Sequence, residues 1–143
     1  MAGTKAYIKQ VKGITFAGKT GSNNWVMMDG PEDFGGSNAA IRPKELLLLG
    51  LGGCTGSDVV SILEKKRIKV EDFEINISAE MTEEHPKVYT KMHVEYVFYG
   101  EMSEKDVERA IDLSLTKYCG VTAMFSKFAE ITHSYVIKKN KDA

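Results

Sequence analysis

One segment constrains this chain more than any other: Arg42-Pro43-Lys44-Glu45-Leu46-Leu47-Leu48-Leu49-Gly50-Leu51-Gly52-Gly53-Cys54-Thr55. Pro43 suits the first turn of a helix, where its missing N–H would be unpaired anyway. A single long helix is expected from there to about Lys65. From Leu46 to Cys54 it is apolar or small on every side, so it should be buried all round. Gly50, Gly52, Gly53 and Gly56 each weaken a helix by up to ~1 kcal/mol relative to alanine. Four of them predict that another backbone packs closely against that surface. Lys65, Lys66 and Arg67 stand at the helix end, where cations complement the macrodipole.

Strands are expected on both sides of this helix. Lys5 to Val11, Ile14 to Ala17 and Trp25 to Met28 are short β-favouring runs separated by turn residues. Gly30 to Ile41 reads as a loop long enough for a functional or partner-contacting role. Phe73, Ile75, Ile77, Ala79 and Met81 alternate with polar residues, as on a half-buried strand. Val88, Thr90, Met92, Val94, Tyr96 and Phe98 form one face of the next. Ser103 with Asp106 three residues on is a capping signature. The helix it opens carries an apolar stripe of Val107, Ile111, Leu115 and Tyr118 and ends at Cys119-Gly120. A short helix near Thr122 to Phe128 and a strand from Thr132 to Lys138 follow. The order βββ–α–ββ–αα–β is α+β rather than doubly wound. The 143 residues suit one domain, 1–143.

Charge excludes some partners. With 19 basic and 20 acidic residues the net charge is -1, so there is no electrostatic footprint for nucleic acid or an anionic membrane. The first residues lack the apolar core of a signal peptide. The uninterrupted apolar run at Leu46–Leu49 falls short of the ~18 residues of a membrane span. A cytoplasmic location is expected, where thiols stay reduced.

Two glycine motifs are not what they resemble. Gly13-Ile-Thr-Phe-Ala-Gly18-Lys19-Thr20 matches the phosphate-binding loop pattern letter for letter. That chemistry needs a loop followed at once by a helix. Here the interior is strand-like and Gly21-Ser-Asn-Asn-Trp25 follows, so a hairpin is expected. Gly50-Leu-Gly52 lacks the third glycine of a dinucleotide fingerprint, because Thr55 occupies that position. His85, His93 and His133 show no metal-ligand spacing, so no metal or cofactor is expected.

Cys54 and Cys119 remain. By residue type alone they are either inert buried thiols or a redox pair, and their separation of 65 positions decides nothing. The segment from Arg42 to Thr55, with Lys117-Tyr118-Cys119-Gly120-Val121-Thr122-Ala123-Met124, closely resembles the two cysteine motifs of the OsmC/Ohr family. These are the osmotically inducible and organic hydroperoxide resistance proteins. The run from Gly52 to Val60 looks most like the YhfA-type branch of that family.

The resemblance implies an OsmC-like fold, with antiparallel sheets around a long buried helix, in an intertwined homodimer whose sites draw on both chains. It implies a thiol peroxidase in which Cys54 attacks a hydroperoxide and Cys119 resolves the sulfenic acid to a disulfide. An external dithiol then restores both thiols. The substrate is expected to be organic, given the apolar surroundings of Cys54. The family sets an arginine from the N-terminal hairpin, oriented by a glutamate, beside the first cysteine. This chain has Lys19 at the hairpin position and Lys44 after Pro43, with Glu45 following. Arg42 or Lys19 would lower the thiolate pKa and Glu45 would orient that cation. The alternative is a non-enzymatic small-molecule binding or redox-sensing protein using the same apolar pocket.

Overall fold

The structure is a computed structural model that describes residues 3–140. Two compact units divide in sequence after Leu48.

The N-terminal unit is an antiparallel sheet of β1 (Ala6–Lys12), β2 (Thr15–Thr20) and β3 (Trp25–Met28) in that order. The phosphate-loop look-alike lies in this sheet. Gly13 takes φ +55° at the β1–β2 turn, and Thr15–Thr20 is a strand paired on both sides. Its amides are committed to ladders rather than gathered around an anion. Asp29 organises the loop that follows. Its buried carboxylate accepts the N–H groups of Gly30 at 2.7 Å, Ser37 at 3.1 Å and Ala39 at 3.1 Å. Burial opposes its ionisation, but these bonds and the Thr15 hydroxyl outweigh burial and hold its pKa below the ordinary value.

A single 3₁₀ turn, Pro43–Glu45, leads into α1 (Leu46–Lys65). The second unit, from Leu49, sets α1 beside a sheet of β4 (Asp72–Met81), β5 (Tyr89–Tyr99) and β6 (Glu130–Lys138), with β5 central. Between β5 and β6 come α2 (Glu104–Leu113), a π-helical segment Ser114–Tyr118, and α3 (Gly120–Phe125). Ser103 caps α2, its hydroxyl accepting the Asp106 N–H at 3.1 Å. The core joins Leu51, Val59 and Leu63 of α1 to Met92, Val94 and Phe98 of β5, all at most 1% exposed. Phe73 stacks on Phe98 with ring centroids 4.6 Å apart.

Five expectations are corrected. The sheets are not both antiparallel, because β6 runs parallel to β5. A parallel neighbour needs a long crossover, and α2 with α3 supplies it. Within one chain, α1 is not buried all round: its buried residues are Leu51, Thr55, Gly56, Val59 and Leu63, while Leu47 and Leu49 are exposed. Pro43–Lys65 is long and apolar enough by composition to cross a bilayer, a length the uninterrupted leucine run did not reveal. Only two of the four helix glycines meet close neighbours, and these are side chains. A Cβ on Gly52 would stand 3.2 Å from Ile77 Cδ1, and one on Gly56 2.9 Å from Ile75 Cδ1. Lastly, Thr90 is left over in a bulge opposite Glu80 and Met81, so Thr90 faces out and Tyr89 is buried in its stead.

Gly56→Leu is expected to cost about 1–3 kcal/mol by overpacking against Ile75 and Phe73. Urea denaturation of the variant measures this, and an unchanged midpoint would contradict the close approach of α1 to β4.

Candidate functional site

Cys54 lies mid-way along α1, half-buried, and Cys119 is 3% exposed just before α3. Cys119 ends a wide turn in which its N–H donates to the Ser114 carbonyl at 2.8 Å, five residues back. Such π segments are frequent at functional sites. The sulfur of Cys119 accepts the Thr122 N–H at 3.4 Å. The fold brings together Sγ of Cys54, Sγ of Cys119 and a carboxylate oxygen of Asp58, all within 4.8 Å of one another. Both thiols are free. That spacing would also admit one thiophilic metal ion between two sulfurs and an oxygen.

Sequence reasoning missed Asp58. It stands one helical turn after Cys54 and therefore on the same face of α1, a signal that an i, i+4 reading could have found. It also missed a line of buried hydroxyls. The Tyr96 hydroxyl lies 2.7 Å from Thr55 Oγ1, and Thr55 Oγ1 lies 2.7 Å from Ser114 Oγ. Ser114 Oγ in turn donates to Asp58 Oδ2 at 2.9 Å. Tyr96, Thr55 and Ser114 are all fully buried.

The surroundings of Cys119 favour its neutral form. Burial pushes the Cys119 thiol above its ordinary pKa; hydrogen bonds from Thr122 act in the opposite direction without cancelling it, and Cys54 adds to the rise. Burial, with smaller contributions from Cys119 and Asp58, pushes the Tyr96 hydroxyl up to about 12.

The residues expected to activate Cys54 lie in the N-terminal unit, each with partners of its own. Lys19 Nζ donates to Asn23 Oδ1 at 3.1 Å and sits 4.9 Å from the centre of the Trp25 ring. Arg42 donates to Asn38 Oδ1 at 2.7 Å and to the Ala40 carbonyl at 3.2 Å. Glu45 accepts the backbone N–H of Arg42 at 3.2 Å, so its carboxylate serves as a helix cap at the entry to α1.

Comparisons with known proteins agree with one another. A family profile described as OsmC-like protein matches residues 35–134. Protein YhfA of Escherichia coli K12 is 39% identical over 134 residues, which span 93% of this chain and 97% of that protein. The crystal structure of a hypothetical protein from Aquifex aeolicus VF5 is 33% identical, with a TM-score of 0.86 across 99% of this chain and 100% of its own. An organic hydroperoxide resistance protein OsmC from Legionella pneumophila shares the fold at a TM-score of 0.70, over 94% of this chain and 97% of its own, at 14% identity.

Because the folded protein holds the Cys119 proton more tightly than the unfolded chain, this group adds stability below the unfolded thiol pKa of about 8.5. The contribution is lost as pH rises through the higher folded value. Alkylation of Cys54→Ser against pH should give a midpoint for Cys119 above ~8.5, returning to it in urea. A midpoint below that value in the folded protein would contradict the burial argument.

Proposed function

Since the chain belongs to the OsmC-like protein family, we propose that it is a thiol-dependent peroxidase that reduces organic hydroperoxides through Cys54 and Cys119. The observation that carries this reading is the pair of free thiols whose sulfurs lie within 4.8 Å. A disulfide closes when the two backbones come within ~7 Å, and sulfurs already this near require little movement. That organic hydroperoxide resistance proteins share the fold adds support for the substrate class.

The two thiols suit different roles. Cys54 is the more accessible and takes the attack: its thiolate sulfur bonds to the terminal peroxide oxygen, the O–O bond breaks, and the alkoxide released takes a proton from water and leaves as the alcohol. Cys54 is then a sulfenic acid. Cys119, buried and protonated, attacks that sulfur, expels the oxygen as water and closes the disulfide. An external dithiol reduces it by two exchanges and is itself oxidised to a disulfide. A neutral-pH thiolate requires nearby positive potential, and the family resemblance points to Lys19 or Arg42 as its source, with Glu45 to orient that cation.

The working unit in this reading is a homodimer of one OsmC-like domain, 1–143, in the cytoplasm. Only 28% of the most apolar 18-residue window of Pro43–Lys65 is buried within one chain. Leu49 is 61% exposed, and nothing lies within 4 Å of a Cβ built on Gly50 or Gly53. In the N-terminal unit Tyr7, Ile8, Val11 and Trp25 are exposed as well. A second copy covering these surfaces accounts for a helix otherwise too apolar for water.

One equivalent of an alkyl hydroperoxide should give a sulfenic acid on Cys54 in Cys119→Ser, and leave Cys119 of Cys54→Ser largely unreacted, by mass spectrometry. Oxidation of Cys119 first, or of neither thiol, would overturn the assigned roles. Sedimentation should report about twice the 15.9 kDa chain mass, and Leu49→Arg should shift it toward the monomer; a monomeric parent protein at micromolar concentration would remove the shared unit.

A further inference from the structure

We propose that Asp58 is the proton acceptor for Cys119 in the step that closes the disulfide, and that the Tyr96–Thr55–Ser114 chain holds its carboxylate for that purpose. The inference rests on the two-thiol reading above and deepens it.

The chain of hydroxyls has only one consistent direction. A carboxylate oxygen accepts and cannot donate, so Ser114 donates its single proton to Asp58 Oδ2. Ser114 must then accept from Thr55 across 2.7 Å, and Thr55 from Tyr96 across another 2.7 Å. Each hydroxyl is used once as donor, and Thr55 and Ser114 each accept once as well. An unpaired buried hydroxyl would cost about 1–3 kcal/mol, so the three are kept together by being complete. Apolar side chains would fill the same space without that requirement. What the polar chain adds is a carboxylate fixed in position beside two sulfurs.

That carboxylate cannot be there to stabilise a resting thiolate. A like charge a few ångströms away disfavours ionisation of either thiol. It is useful only at the moment a thiol must surrender its proton. Cys119 arrives at the closing step as S–H, because burial raises its pKa. As Cys119 Sγ bonds to Cys54 Sγ, its proton passes to the Asp58 carboxylate and the S–O bond of the sulfenic acid breaks. The departing hydroxide takes the proton from Asp58 and leaves as water. Two sulfurs end as a disulfide, and Asp58 returns to its starting state. The charged and titratable groups around Asp58 are Lys65 and Lys66 on α1 and Tyr118 of the π segment, which line one groove with it. Tyr96 and the two thiols also stand beside it. Lys66 is engaged by Asp106 at 3.1 Å.

The test separates the two chemical steps by rapid quench and mass spectrometry, using the full chain and the near-isosteric Asp58→Asn, whose amide oxygen can still accept from Ser114. Sulfenic acid formation on Cys54 should proceed at the parent rate or faster. Disulfide closure should slow by about 100-fold or more, the usual worth of a general base. Its rate should then rise in proportion to hydroxide up to the Cys119 pKa, where the parent protein's rate is flatter. A second arm needs no peroxide. Cys54 is converted to its glutathione mixed disulfide, and Cys119 closes the bond by expelling glutathione, which again requires loss of the Cys119 proton. Slowing of closure in both arms supports the assignment. If the parent protein forms no sulfenic acid but the second arm slows in Asp58→Asn, the peroxidase reading fails and the proton acceptor stands. Closure at the parent rate in the second arm, or equal slowing of attack and closure, overturns the role of Asp58.

Discussion

The second unit depends on how near α1 lies to β4. Gly52 and Gly56 present no side chains to that strand, and Ile77 and Ile75 occupy the space where β-carbons would be. The consequence is positional. Thr55, next to Gly56, comes close enough to β5 for its hydroxyl to meet Tyr96 at 2.7 Å. The helical repeat then fixes Cys54 one residue earlier and Asp58 one turn later. A bulkier residue at either glycine would meet Ile75 or Ile77 first, so the apolar packing between α1 and β4 would have to give before the hydroxyl chain moved. The small residues of α1 thus set the depth at which its chemistry sits.

Depth also makes the two sulfurs unequal. Both belong to one cluster, yet Cys119 is buried at a turn and Cys54 is half-open on a helix. Burial penalises the charged form of Cys119. An exchange between equivalent thiols would have no preferred direction. In the proposed cycle the more open sulfur, Cys54, is the one suited to attack, and the proton-retaining Cys119 is suited to wait.

Much of this was legible before the fold was known. The helix after Pro43, the Ser103 cap and the β4–β5 hairpin follow from local signals that the structure bears out. The direction of β6 was not legible, because alternation along a strand is the same whichever way its neighbour runs. The bulge at Thr90 was hidden for a related reason, since one extra residue shifts the face of all that follows. The resemblance singled out the cysteines, and the fold set them side by side. The hydroxyl chain joins residues 41 and 59 apart in sequence, and no local pattern distinguishes Thr55 or Ser114 from ordinary polar residues in a helix. Asp58 is the exception: an acidic residue one turn after a cysteine, in the middle of a largely apolar helix, is a visible departure.

The surroundings of Cys119 also show which of its charge states the fold accommodates. Among the described residues, the buried Thr122 hydroxyl makes no well-formed hydrogen bond, and the group it acts on is the Cys119 sulfur. Such a group costs about 1–3 kcal/mol. Thr122 is also the residue whose N–H already reaches the Cys119 sulfur, and its interactions lower the thiol pKa against the larger effect of burial. A neutral thiol is a weak acceptor, so in the resting protein the hydroxyl gains little from it. A thiolate would be the stronger acceptor, so the Thr122 donors favour the deprotonated state of Cys119 that burial opposes, and the resting thiol stands between these two effects.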